Sequence, residues 1–154
     1  MKLILEEKTI TSSMSKKFAQ EFWDNYLSKE KNFAVFLEGG LGAGKTFLVR
    51  EILFAAGIDT EVPSPTYTIV NEFGLVNKKF AHFDFYRLSD PADFFARGLS
   101  EIAEDKQINT FIEWADKISE TAQRGFSGEK FLIRIDHGKS IGERRFRVYT
   151  TDHK

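Results

Sequence analysis

The sequence predicts an α/β sandwich built on a mixed parallel and antiparallel sheet, and three observations predict it. Short apolar runs alternate with helix-period stripes in the first half of the chain. In the second half, apolar runs face each other across turn residues, as antiparallel hairpins do. The 154 residues, 42% hydrophobic and 29% charged, suit one domain, 1–154, able to bury about two-thirds of the surface its unfolded chain exposes.

Residues 2–6 (KLILE) read as an edge strand. Ser12 or Ser13 can cap a helix running to about Leu27, because Met14, Phe18, Phe22 and Tyr26 fall on one stripe. The compact run 33–38 before glycine reads as a buried strand. From Lys45 to Ala56, Leu48 and Ile52 share a helical face, and Gly57 is the expected stop. The segment VPSPTYT, 62–68, holds two of the three prolines, which stiffen a loop leading into a strand at 67–73. A turn over Gly74–Lys79 then returns the chain as a hairpin partner from Phe80 to Tyr86. Asp90-Pro91-Ala92-Asp93 has the cap, proline and acid of a helix start, with Gly98 as its end. Residues 109–114 read as a strand, and 130–136 with 144–151 as a C-terminal hairpin.

The chemistry-bearing stretch is Gly39-Gly40-Leu41-Gly42-Ala43-Gly44-Lys45-Thr46, which fits G-x-x-x-x-G-K-[ST] between a strand and a helix. A loop that wraps a phosphate must turn consecutive N–H groups inward, and side chains obstruct both the turn and the approach. In this pattern Lys45 reaches the β and γ oxygens, Thr46 offers its hydroxyl to Mg²⁺, and the helix N-terminus adds positive potential. The expected ligand is a nucleoside triphosphate with magnesium. No N-K-x-D or D-x-x-G guanine-site motif accompanies the loop, so ATP is favoured over GTP. Magnesium also asks for a carboxylate at the end of a neighbouring buried strand. Asp84 in FAHFDFYR and Glu113 in TFIEW both qualify, and the residues leave open which one touches the ion. His82, beside Asp84, reads as a hydrogen-bonded structural histidine rather than a ligand of a second metal. Arg87 reads first as a salt bridge, with transition-state stabilisation as the sharper alternative. RRFR at 144–147 reads as a solvated strand face rather than an RNA contact.

Composition narrows the classes further. A formal net charge of −1 argues against unaided grip on nucleic acid, which rests on phosphate neutralisation by Lys and Arg. With no cysteine, disulfides and thiolate metal sites are excluded. MKLILEEK is too short in apolar residues for a signal-peptide core, and no run approaches a membrane span, so the cytoplasm is the expected location.

GGLGAGKT, SPTYTIVNEF (64–73), HFDFYRLSDP (82–91) and FIEW (111–114), in that order, resemble the TsaE (YjeE) family of small P-loop ATPases in bacterial tRNA threonylcarbamoyladenosine biosynthesis. The likeness covers about 9–118 well and the remainder loosely. It implies a P-loop fold with nucleotide contacts from Gly39 through Phe47, Mg²⁺ served by Thr46 and Glu113, and Asp84 near the γ-phosphate supporting hydrolysis with Lys45. It also implies a nucleotide-sensing switch at Ser64, Pro65, Thr66, Tyr67 and Thr68, and Trp114 close to the nucleotide. The implied partners are the TsaD and TsaB subunits, with tRNA met only through that complex. Two positions depart from the family pattern: Gly40 stands where an acid is usual, and Phe47 where a second threonine is usual. A small-molecule kinase and a non-hydrolysing ATP-gated switch are the competing readings.

Overall fold

A computed structural model of the chain describes residues 1–9, 11–59 and 69–151. Strand β1 (Lys2–Thr9) is longer than the 2–6 expected, because it runs antiparallel along the whole of the last strand, β7 (Arg144–Thr150). Helix α1 (Ser12–Asn25) is capped by Thr11, whose hydroxyl accepts from the Met14 amide at 3.3 Å. Ser12 and Ser13 therefore sit inside the first turn rather than at the cap. The helix ends two residues before Leu27, which opens a short 3₁₀ turn, Leu27–Lys29. Phe18 and Phe22 of the expected stripe are fully buried.

The run 33–38 is β2 (Phe33–Glu38), and the helix after the glycine loop is α2 (Lys45–Ala55), ended at Gly57 with φ +105°. The next hairpin, β3 (Val70–Leu75) and β4 (Lys78–Asp84), turns on Val76 and Asn77 alone, with Leu75 opposite Lys78. The turn expected over Gly74–Lys79 is thus shorter, and β4 begins two residues earlier than Phe80. Gly74 lies in open space within β3, so it weakens a strand there without ending it. The helix expected from Asp90 to Gly98 is instead two pieces, α3 (Asp93–Ala96) and α4 (Leu99–Glu104). Asp90 caps the preceding turn by accepting from the Ala92 amide at 2.9 Å, and Gly98, at φ +73°, redirects the chain between the pieces. Strand β5 (Ile108–Glu113), helix α5 (Glu120–Arg124) and strand β6 (Glu129–His137) complete the order before β7.

The seven strands lie in the order β1-β7-β6-β2-β5-β4-β3. The central four, β6, β2, β5 and β4, are parallel, while β1, β7 and β3 join antiparallel, giving the mixed sheet the sequence predicts. A parallel centre must be covered on both faces. One face packs under α1 and α2 through Phe33, Val35, Leu37, Phe80, Phe111 and Ile133. The other packs under α3 to α5 through Ala34, Phe83, Ile112, Phe94 and Phe126. Much of the phenylalanine content goes into these layers: the Phe33 and Phe111 rings meet edge-on at 5.7 Å, and Phe83 meets Phe126 at 5.3 Å. This construction leaves the C-terminal ends of β2, β4 and β5 side by side, since Leu37 is paired with Glu113 and Asp84 with Glu113. Open α/β sheets place their ligands at that edge.

Candidate functional site

The glycine loop leaves β2 at that edge and enters α2, and its glycines differ in what demands them. A Cβ on Gly39 would lie 2.9 Å from the Ile135 carbonyl and 3.0 Å from Ala43 Cβ, so only glycine fits. Gly42 and Gly44 have φ of +76° and +100°, where side chains are strained. Gly40 has neither constraint: nothing lies within 4 Å of an added Cβ. The fold would accept an acid there, so glycine in place of one changes charge rather than shape. The loop is held from outside by Arg144, whose Nε donates to the Ala43 carbonyl at 3.1 Å.

Lys45 is 5% exposed and folds back on its own loop, donating to the carbonyls of Gly39 at 2.6 Å and Gly40 at 3.1 Å. Its ammonium lies 4.1 Å from the Trp114 ring centroid, within cation–π range. Burial lowers its pKa, and the nearby charges of Glu113, Asp84 and Asp116 oppose that shift. Trp114, at φ 58°, is the one non-glycine residue with positive φ among the described residues. A bulky side chain there costs on the order of 1–3 kcal/mol, and such strain concentrates at functional sites. It turns the chain directly after Glu113 and lays the indole between Lys45 and Tyr86, whose ring is 5.0 Å away.

Thr46, the first residue after the lysine, donates its hydroxyl to both Glu113 oxygens, at 3.1 and 3.0 Å. Glu113 is 2% exposed and also meets His82 Nε2 at 2.5 Å. The structural histidine expected beside Asp84 therefore pairs with Glu113 instead: on β4 its side chain is on the same face as Asp84, two residues earlier. Asp84 is half-buried and its Oδ1 accepts from the Tyr86 amide at 3.0 Å. Leu41–Phe47 with Asp84, Tyr86, Glu113 and Trp114 line a cleft of about 310 Å³. Lys45 and Trp114 also border a larger groove, of about 560 Å³, over β2 and β6. The loop residues from Leu41, the Thr46 hydroxyl and the Asp84 and Glu113 carboxylates border the smaller cleft. The Thr46 hydroxyl and the Asp84 and Glu113 carboxylates on its wall form an oxygen-only set, of the kind suited to Mg²⁺ shared with phosphates. No cluster of three or more His, Cys, Asp or Glu that could cage a metal occurs among the described residues.

Burial raises the Asp84 pKa, aided by the Glu113 charge and opposed by the Tyr86 amide and Lys45. A raised pKa in the folded state means the ionised carboxylate costs stability at neutral pH, and that cost is relieved as pH falls through the raised value. Asp84→Asn is therefore expected to raise the thermal midpoint of the nucleotide-free protein at pH 7 by about 1–3 °C. The advantage should shrink as pH drops through the carboxylate range. A melt series showing a lower midpoint for the variant at pH 7 would contradict this.

Other expected residues sit elsewhere. Arg87 is exposed and does not line the cleft. In the RRFR segment Arg145 pairs with Glu6 at 3.6 Å and Arg147 with Asp136 at 2.5 Å, while Phe146 is buried. Committed to neighbours in this way, the segment reads as a strand face, as expected. The Ser64–Thr68 loop lies outside the described residues. Two contributors escaped the sequence reading: the Arg144 brace and the His82–Glu113 contact both join segments far apart in the chain, and no local spacing signals either.

A sequence model of the TsaE family, described as "Threonylcarbamoyl adenosine biosynthesis protein TsaE", matches residues 6–146. The tRNA threonylcarbamoyladenosine biosynthesis protein TsaE of Haemophilus influenzae is 42% identical over 122 residues, covering 79% of this chain and 73% of that protein. Its namesake in Rickettsia felis is 35% identical over 117 residues, covering 75% of this chain and 63% of the relative. The crystal structure of Bacillus subtilis YdiB superposes with a TM-score of 0.69 over 99% of this chain and 89% of that one, at 21% identity, which shows a shared fold. No helix among the described residues is long and apolar enough to cross a membrane.

Proposed function

The chain belongs to the TsaE family, and from that membership we propose that it is an ATP-hydrolysing accessory protein of tRNA threonylcarbamoyladenosine biosynthesis. In this reading it docks on the TsaD–TsaB pair and couples ATP binding and hydrolysis to that pair's turnover. The observation that carries the chemistry is the Thr46 hydroxyl seated on the buried Glu113 carboxylate, directly beside the loop amides and Lys45.

The steps follow from the residues. Amides of the 39–46 loop and the α2 N-terminus hold the β-phosphate. Lys45 exchanges the Gly39 and Gly40 carbonyls for phosphate oxygens, a short rotation of a side chain already in the cleft. Thr46 and Glu113 would hold Mg²⁺, which supplies positive charge against the β and γ oxygens. Asp84, made more basic by burial, faces the cleft and can orient or accept a proton from the attacking water. Phe47 offers the α-phosphate its backbone N–H only. No arginine joins this constellation among the described residues of the cleft lining, so intrinsic turnover is expected to be well below about one event per second.

The kinase alternative asks for a mobile lid over residues 92–108. Phe94, Leu99 and Ala103 are instead buried in the second core layer, and Arg97 lies 3.8 Å from Asp93. That favours water as the acceptor. The deciding experiment is reconstitution of tRNA modification from the pathway proteins with and without this chain, following labelled ATP. The expected result is multiple-turnover modification only when the chain is present, with label released as free phosphate. Label on a metabolite, or modification indifferent to the chain, would sink the reading.

A further inference from the structure

His82 is a charged-type side chain in the wrong place for one. It is fully buried on the α2-facing side of β4, in register with Phe111 and one alternate position after Phe80. A polar group there is costly unless hydrogen-bonded. Its Nε2 meets Glu113 Oε2 at 2.5 Å, and its Nδ1 has no hydrogen-bond partner among the described residues. A ring N–H left unpaired in an apolar layer costs more than a bare ring nitrogen, so the proton belongs on Nε2, donated to the carboxylate.

Glu113 is itself sealed from solvent and sits on a flexible two-carbon stem. Thr46 touches both of its oxygens from the loop side, and His82 touches Oε2 from beneath. We infer that His82 is a positioning residue for the metal end of the cleft: its Nε2–H fixes the Glu113 carboxylate in the orientation that meets Thr46. The inference rests on Thr46 and Glu113 being the Mg²⁺-holding pair. It explains why a histidine stands among phenylalanines, and it assigns the histidine no contact with nucleotide or metal. Partners that orient a metal-binding group in this way typically matter 10–100-fold in metal affinity.

Two neutral substitutions of similar polarity separate donor geometry from packing. In His82→Gln the amide can extend to the Nε2 position and still donate to Glu113. In His82→Asn it stops near the Nδ1 position, short of the carboxylate. ADP affinity is measured by calorimetry for both variants and the wild type, in EDTA and across a Mg²⁺ series. The expected result is EDTA affinities within about twofold of each other, with the Mg²⁺ concentration for half-maximal strengthening raised about 10–100-fold in His82→Asn and restored toward wild type in His82→Gln. An unshifted His82→Asn overturns the role, as do equal shifts in both variants or a His82→Asn that loses ADP affinity in EDTA as well, since those report packing. If the wild type binds ADP but ignores Mg²⁺, the Thr46–Glu113 metal assignment itself falls, and the positioning role falls with it.

Discussion

Lys45→Ala is expected to weaken Mg·ATP binding by about 100-fold or more, the largest single effect in the cleft. The ammonium is the only cation among the described residues lining it, and charge-assisted contacts to phosphate are about twice as strong as neutral ones. Removing one side of a desolvated charge pair typically costs about 3–5 kcal/mol, and each 1.4 kcal/mol is about tenfold in affinity. Two effects could be confused with loss of charge. The lysine ammonium lies over the Trp114 ring and caps the Gly39 and Gly40 carbonyls, so alanine also loosens the ligand-free loop. Lys45→Met keeps most of the stem and separates these contributions. Both variants should fail to bind in equilibrium titration with Mg·ATP, while Met should keep the thermal midpoint closer to wild type. Near-normal binding by Lys45→Met would show that the amide cradle suffices alone.

The same residues show how far the sequence reaches. The loop 39–46 was legible because its chemistry is local: four glycines, a lysine and a threonine at fixed spacing between a strand and a helix. The mixed sheet was legible from alternating patterns whose period follows backbone geometry. Asp84 and Glu113 could be named as acids ending apolar runs. Which of them meets Thr46 was not legible from the residues alone, because it depends on register: parallel pairing of β4 with β5 sets Asp84 opposite Glu113 and brings His82 up beneath it. Alternate positions along β4 thus converge on one carboxylate across the sheet. The Gly98 break failed for a related reason, since one glycine reads alike whether it ends a helix or joins two short ones. The strained Trp114 backbone left no local mark either, because a tryptophan after a strand carries no sign of positive φ.

Glu113 is where charge and shape can be separated most cleanly, through Glu113→Gln and Glu113→Ala. The glutamine keeps the volume, and its carbonyl oxygen can still accept from Thr46 or His82, but the negative charge at the proposed Mg²⁺ end of the cleft is gone. It is expected to fold with a thermal midpoint near wild type, to bind nucleotide in EDTA, and to lose at least about 10–100-fold in Mg²⁺ affinity, with hydrolysis falling at least as far. Alanine removes the acceptor as well. The Thr46 hydroxyl and the fully buried His82 Nε2–H then lack their partner, each at about 1–3 kcal/mol, so the melt should fall by several degrees beyond the glutamine variant. The pH dependence gives a second check. Glu113's charge is one of the causes raising the Asp84 pKa, so in Glu113→Gln that pKa drops, and the acid limb of any residual hydrolysis moves to lower pH. Wild-type hydrolysis by Glu113→Gln at unchanged Mg²⁺ dependence would remove this carboxylate from the metal end of the site. Thr46 would then have to act with Asp84, the other carboxylate lining the cleft.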